Sequence, residues 1–157
     1  MWRDIDGQPN PADGDYTDAD GIPIEGITVT TPREHGLVQL PQNLPNSGFY
    51  NYGTPGNGAA QYGLPATMGF LGAAGTQWNA ERNVPFGVGN MSLSDGSPYD
   101  NHGPDHMNGT GIDIRPIRND GKQAGVSYKD PAYDRAATQQ LVDTLHATGG
   151  RRSHLFQ

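Results

Sequence analysis

A glycine-rich turn leads into an alternating strand at residues 106–115, which read HMNGTGIDIR. The two isoleucines fall on one face of an extended chain and Asp113 and Arg115 fall on the other, because side chains alternate along a strand. The glycines tolerate positive φ and close approach, so the turn can fold back and bring His106 to Asp113. The segment predicts a strand with one buried face and one face that carries chemistry.

Helical patterns lie on both sides of this segment. Apolar residues at helical spacing predict a helix over 65–78. A second helix is predicted to begin with Asp130 as N-cap and Pro131 in its first turn, and to end at a Gly-Gly pair. The apolar stretch at 84–93 is typical of a buried strand or turn. The order helix, strand, strand, helix predicts an α+β domain with a small antiparallel sheet.

Composition limits the size of that domain. Glycine and proline make up 36 of the 157 residues and 33% of the chain is hydrophobic, so helices and strands must be few and loops long. The length predicts one compact, loop-rich domain with two or three helices. The chain has no cysteine, which excludes disulfides, thiolate metal sites and a cysteine nucleophile.

The N-terminal stretch has a different character. Residues 1–26 hold seven acidic residues against one arginine, so that −6 of the total net charge of −7 lies there. Such a stretch buries too little apolar surface to fold alone, and we expect a partner to order it. Strand patterns at 27–31 and 36–40 pair either with each other or with a neighbouring protein. The sequence thus predicts an extended acidic docking arm with short strands over 1–45 and a compact domain over 46–157.

Charge and hydropathy exclude two classes of partner. A net charge of −7 with dispersed arginines lacks the clustered basic surface that nucleic-acid binding needs. No apolar run approaches the length of a membrane-spanning helix, and the N-terminus lacks the basic and apolar regions of a signal peptide. We therefore expect neither nucleic-acid binding nor membrane insertion.

The densest polar cluster, at residues 100–113, contains two histidines and three aspartates. Imidazole nitrogens and carboxylate oxygens bind zinc at about 2.0–2.2 Å, and a catalytic zinc commonly keeps three protein ligands and one water. His106 and Asp113 would supply two of these ligands. The alternative is that both side chains only form hydrogen bonds within a glycine-rich loop.

Four motifs follow one another over roughly residues 48–157: FYNYG at 49–53, GAAQYGLP at 58–65, VGNMSL at 88–93 and HMNGTGIDI at 106–114. Together they resemble the penicillin-insensitive murein endopeptidases, a branch of the metallopeptidases that includes the lysostaphin-type, D-Ala-D-Ala dipeptidase and hedgehog folds. The His-x-x-Gly-x-x-x-Asp pattern is the most specific part. The resemblance implies Zn²⁺ as cofactor and hydrolysis of peptidoglycan cross-links between D-alanine and meso-diaminopimelate.

The resemblance also implies site residues. His106 and Asp113 correspond to the first two zinc ligands. His102 is similar to a further family histidine, but it lies four positions before the first ligand instead of three. Arg115 either orients Asp113, binds a substrate carboxylate, or pairs with an acid at the surface. The catalytic base is not identified by the sequence.

Two departures from the family pattern concern the remaining ligands. Asp120 matches an aspartate of an Asp-Gly-Lys-His stretch associated with metal, in which Gln123 replaces the histidine. The family's third zinc ligand belongs to a His-x-His motif placed after the segment that residues 151–157 resemble. Three explanations are open: the chain is a fragment, His154 or His146 substitutes for the third zinc ligand, or the protein has lost catalysis and kept the fold.

Peptidoglycan lies outside the cytoplasm, so the predicted enzyme needs a route to its substrate. A phage tail, or another injection or secretion assembly whose proteins bind the acidic arm, would deliver it to the periplasm or cell wall as a virion protein. A periplasmic protein that has lost its signal is the alternative. The rival function is a catalytically inactive structural or adaptor component of such an assembly, built on the same fold. A calcium-dependent or carbohydrate-binding module is the third.

Overall fold

The computed structural model describes residues 36–99 and 102–149, and those from Leu37 onwards belong to one compact unit. The predicted arm over residues 1–45 lies outside the described residues as far as residue 35, including its strand at 27–31. Within the predicted strand at 36–40, Val38 and Gln39 pair with Gly63 and Tyr62, and Leu40 is buried in the core. Helices and strands follow in the order β1 (Val38–Gln39), β2 (Phe49–Asn51), β3 (Tyr62–Gly63), α1 (Pro65–Glu81), β4 (Phe86–Val88), a 3-10 turn (Pro104–His106) and α2 (Arg135–Ala147).

These elements confirm the predicted α+β class, with short strands and long loops. β1 pairs with β3 in the antiparallel sense, as predicted for the sheet, whereas β2 pairs with β4 in parallel. Ile114 forms an antiparallel bridge with Val88 of β4. β4 therefore lies between β2 and the extended segment that carries Asp113. Within the described ranges, no helix is long and apolar enough to cross a membrane.

The alternation predicted for residues 112–115 is confirmed. Both isoleucines are buried, while Asp113 and Arg115 remain partly exposed. The backbone N–H of Gly89 donates to the Asp113 carbonyl, and the N–H of Arg115 donates to the Gly87 carbonyl. These two bonds fix the segment against β4 and set the direction in which Asp113 points.

Helix α1 begins at Pro65, as predicted, and continues to Glu81, three residues past the predicted end. Its buried face holds Leu71, Ala74 and Trp78, which belong to the hydrophobic core with Phe86 of β4 and the isoleucines of residues 112–117. The Trp78 indole N–H donates to the Val84 carbonyl at 2.6 Å, so its one polar atom is satisfied inside the core.

Helix α2 begins later than predicted, and the prediction that Asp130 caps it is wrong. The N-cap is Asp134, whose carboxylate accepts from the Ala137 N–H at 2.9 Å. The Asp130 carboxylate instead accepts from the Ala132 N–H two residues on, in a local turn that needs no helix. Short-range patterns do not separate these two uses of an aspartate.

The predicted end of α2 agrees with the structure. The helix stops at Ala147, and Gly149 follows with φ at +112°, a value that side chains with a Cβ disfavour. Leu141 and Leu145 are completely buried in the core. The Glu81 carboxylate at the end of α1 accepts hydrogen bonds from Gln140 and Thr144 of α2, which ties the two helices together.

Candidate metal centre

Three side chains converge at one point of the described structure. His102, His106 and Asp113 each offer a ligand atom, and these atoms all lie within 4.8 Å of one another. The Nε2 of His106 is 3.2 Å from Oδ1 of Asp113, and the Nε2 of His102 is 3.4 Å from Oδ2. Each imidazole therefore faces a different oxygen of the same carboxylate.

His106 is oriented by the main chain. It ends the 3-10 turn, its side chain is 1% exposed, and its Nδ1 lies 2.9 Å from the Met91 carbonyl oxygen. Because a carbonyl only accepts, Nδ1 carries the proton in this contact and Nε2 keeps its lone pair. The hydrogen bond thus directs Nε2 towards Asp113, and ligand histidines in metalloproteins are usually oriented by such a bond from the other ring nitrogen.

His102 is held by an aromatic neighbour. Its ring stacks on Tyr99, with centroids 4.5 Å apart and an interplanar angle of 22°. The Tyr99 hydroxyl donates to the same Met91 carbonyl at 2.5 Å. Both histidines therefore depend on Met91. Sequence reasoning missed Met91 and Tyr99, because a backbone carbonyl carries no side-chain signal and Tyr99 has no distinctive spacing to the histidines.

Several polar atoms of the cluster are buried without hydrogen-bond partners. Among the described side chains this holds for Nε2 of His106 and Oδ1 of Asp113, which face each other, and for Nδ1 of His102, whose Nε2 is the atom that faces Asp113. Outside the cluster it also holds for Nε2 of His146. An unsatisfied buried polar atom costs about 1–3 kcal/mol, so such atoms are uncommon unless they serve a purpose. A cation between them would satisfy the facing lone pairs. The three residues could hold a metal ion, and two imidazoles with one carboxylate suit zinc.

The electrostatics of the cluster favour positive charge. Burial lowers the pKa of His106, but the Asp113 carboxylate and the Met91 carbonyl outweigh burial and raise it above its ordinary value of 6.5. A second carboxylate borders the cluster, since Oδ2 of Asp105 lies 3.8 Å from Nε2 of His106. Sequence reasoning did not single out Asp105. Its position beside a buried histidine becomes apparent only once the turn is folded.

Arg115 does not orient Asp113 by direct contact. Its guanidinium carbon lies 3.6 Å from the centroid of the Tyr52 ring, and no described carboxylate pairs with it. Burial raises the pKa of Tyr52 to about 12, and the negative charge of Asp113 adds to this while Arg115 opposes it. The phenol therefore stays protonated at neutral pH, within the fields of both charges.

The other predicted ligands are not brought to this point. Asp120 accepts two hydrogen bonds from Arg118, at 2.8 and 2.5 Å, and this partner holds the pKa of Asp120 well below its usual range. His146 lies on α2 and does not belong to the cluster. His154 lies outside the described residues. The third residue of the cluster is His102, which lies four positions before His106.

No family model, curated protein or solved structure matches the chain. The resemblance to the murein endopeptidases stays a prediction, and the site has to be interpreted from its own chemistry.

Proposed function

We propose that this chain is a zinc-dependent murein endopeptidase that hydrolyses D-alanyl cross-links of peptidoglycan. The observation that carries the proposal is the cluster of His102, His106 and Asp113, in which the buried Nε2 of His106 and Oδ1 of Asp113 face each other without hydrogen-bond partners. Catalytic zinc sites commonly use three such protein ligands and leave a further position open. The motif order over residues 48–157 supports peptidoglycan as the substrate.

The residues of the chain have distinct tasks in this proposal. Zinc supplies Lewis acidity when bound, which polarises a scissile carbonyl and makes water a stronger nucleophile near neutral pH. His106, directed by the Met91 carbonyl, and Asp113, fixed by the pairing of its strand with β4, hold their ligand atoms in place. Hydrolysis adds water across the amide: the carbonyl carbon gains oxygen, the C–N bond breaks, and the leaving nitrogen gains a proton.

Metal analysis is the first test. Zinc per chain is measured by elemental mass spectrometry on the wild type, on His106→Ala and Asp113→Ala, and on His146→Ala as a histidine control outside the cluster. We expect near-stoichiometric zinc in the wild type and the control, and loss in the two ligand variants. Two imidazoles and a carboxylate also bind Fe(II) in oxygenases, so iron in place of zinc would contradict the proposal.

Activity is tested on cross-linked murein with the same four proteins. Clearing is followed by turbidity, and the released peptides are separated to show which amide is cut. We expect the wild type and His146→Ala to cleave the D-alanine–diaminopimelate amide, and both ligand variants to lose this activity. Equal clearing by all four would contradict the zinc mechanism. Bound zinc without any cleavage would favour the inactive structural or adaptor component instead.

We propose further that the enzyme is carried on a phage tail or related assembly. The support is the acidic stretch over residues 1–26, whose seven acidic residues against one arginine suit docking to a basic protein surface. Density-gradient-purified particles of the phage that encodes the chain are tested by immunoblotting. The chain should sediment with the particles in proportion to a known tail protein. Its absence from washed particles would contradict this location.

A further inference from the structure

The strongest feature that the metal site leaves unexplained is the pair formed by Tyr52 and Arg115. Tyr52 follows β2, and its backbone N–H donates to the Val88 carbonyl at 2.9 Å. Its ring lies over the two glycines that flank Val88. A Cβ at Gly89 would overlap the ring, and one at Gly87 would lie 2.9 Å from Cδ1. The missing side chains therefore create the space that the aromatic ring fills.

Arg115 lies on that ring. Its guanidinium carbon is 3.6 Å from the ring centroid, a distance typical of a stacked arginine. The backbone N–H of Arg115 donates to the carbonyl of Gly87 in β4, one of the two glycines beneath the Tyr52 ring. The backbone and the head group of Arg115 are therefore both fixed. Within the described part of the chain, the Arg115 side chain forms no hydrogen bond and no ion pair. A planar group with five donors is thus held in place, and none of these donors is paired within the described residues.

The position of this group relative to the cluster is set by the strand. Asp113 and Arg115 share one face, and residues two apart on an extended strand are separated by about 6.6 Å. One residue of an extended peptide spans about 3.3–3.6 Å. The charges of Asp113 and Arg115 both act on the Tyr52 ring, so a peptide whose amide faces His106 and Asp113 can bring a neighbouring residue to Arg115.

We propose that Arg115, held over the ring of Tyr52, binds a free carboxylate of the substrate next to the scissile amide. The inference rests on the proposed peptidase function and defines its substrate class: peptides in which the residue on the nitrogen side of the cut bond carries a carboxylate. meso-Diaminopimelate carries such a group on the carbon bonded to the cross-linking nitrogen. The arginine fork matches the two oxygens of a carboxylate, and a carboxamide can accept only through one.

The test uses one synthetic D-alanyl–diaminopimelate peptide in two forms, with the carboxyl group next to the scissile amide either free or converted to a primary carboxamide. The full-length wild type should cleave the free acid with a kcat/KM about tenfold to 100-fold higher than the carboxamide. Arg115→Met should lose this preference, mainly through KM, because a methionine side chain pairs with neither a carboxylate nor a carboxamide. Arg115→Lys should retain a smaller preference, because a lysine does not form the paired contact.

Two further proteins separate binding from folding. Tyr52→Leu removes the ring while leaving Arg115 in the chain, and it should reduce the preference. Arg135→Met, an exposed arginine at the start of α2, should retain it in full. Zinc content is measured in every protein, so that an Arg115→Met protein with normal zinc and an unchanged preference counts against the proposed carboxylate site.

Binding is also measured without turnover, by NMR titration of both peptides into the full chain. If no peptide is cleaved, the proposed function fails but the titration still tests Arg115. Tighter binding of the free acid by the wild type and equal binding of both forms by Arg115→Met would support the carboxylate site. Equal binding of both forms by the wild type, or a preference that survives in Arg115→Met, would overturn it.

Discussion

Gly111 is the residue on which the position of His106 depends most directly. A Cβ there would lie 2.9 Å from Cδ2 of the His106 ring and would overlap the Asp105 carboxylate. His106 is almost completely buried and bonded to Met91, so its ring cannot move away without breaking that contact. We expect Gly111→Ala to weaken zinc affinity about 10-fold to 100-fold, the usual effect of disturbing the support of a metal ligand. Competition with a fluorescent zinc chelator measures it.

Gly56→Ala is the matched control for this change. Gly56 is exposed and a Cβ there would meet nothing within 4 Å, so this variant should bind zinc as the wild type does. Thermal unfolding of both metal-free variants shows whether each is folded. Wild-type zinc affinity in a folded Gly111→Ala would show that the His106 ring is not held as tightly as the contacts indicate.

Part of the arrangement of residues at the candidate site can be predicted from the sequence. The short spacing between His106 and Asp113, with glycines between the two residues, is enough to predict that they lie close together. A tight turn that leads directly into a strand brings its two ends near each other. The place of Tyr52 is different. It depends on the parallel pairing of β2 with β4 and on two glycines more than thirty residues further on, and such long-range register carries no local pattern.

Helix α1 contains two glycines at which an added methyl group should have opposite effects on the free energy of unfolding. Gly75 faces the loop before β2, and a Cβ there would overlap the Ser47 carbonyl, whereas a Cβ at the exposed Gly72 would meet nothing within 4 Å. Alanine favours a helix over glycine by about 0.5–1 kcal/mol. We expect Gly72→Ala to stabilise by that amount, and Gly75→Ala to destabilise by about 1–3 kcal/mol because the backbone contact is forced apart.

Urea unfolding followed by circular dichroism measures both variants, with zinc removed so that only the fold is tested. The two glycines lie three residues apart on one helix, so each is the other's control for helix propensity. Similar stabilisation by both alanines would mean that α1 does not pack as closely on the Ser47 loop as the structure shows.

The contact between the two helices should respond to acid. Hydrogen bonds from Gln77, Thr144 and Gln140 hold the pKa of Glu81 below its ordinary value of 4.5. A carboxyl group whose pKa is lower in the folded state than in the unfolded state stabilises the fold at pH values above its unfolded-state pKa. This stabilisation is lost as the pH falls through the folded-state pKa. We expect Glu81→Gln to lower the melting temperature slightly at about pH 6 and to match the wild type near pH 3.

Melting curves of both proteins between about pH 3 and about pH 6 test whether the charge of Glu81 contributes to stability. The expected effect is small, because Glu81 is exposed. A constant difference across the range would assign the effect to something other than the charge of Glu81.

The two helices also show how far element prediction reaches. α1 is predictable from its apolar spacing, even with three glycines inside it, because Leu71, Ala74 and Trp78 mark one face. α2 is predictable in its body but not in its start. The Asp134 N–H is bonded to the Ile117 carbonyl, so a tertiary contact, which no local pattern records, selects between two equally suitable caps.

For the whole molecule, a metal bound by the cluster would link parts of the chain that secondary structure leaves separate. His102 and His106 flank and end the 3-10 turn, and Asp113 lies on the strand beside β4. Zinc that binds only the folded chain stabilises it by about 2.7 kcal/mol at 100 times Kd. For a chain of this length we expect a rise in melting temperature of about 5–10 °C, reversed by a chelator.

The same experiment separates the cluster from adventitious zinc binding. His106→Ala should show almost no zinc-induced shift, and His146→Ala should show the full shift, because His146 lies outside the cluster. The shift should also be smaller at about pH 5.5 than at about pH 7.5, since protons compete with zinc for imidazole nitrogen. A shift of equal size in His106→Ala and the wild type would place the bound zinc elsewhere and remove the basis for peptidase chemistry at this cluster.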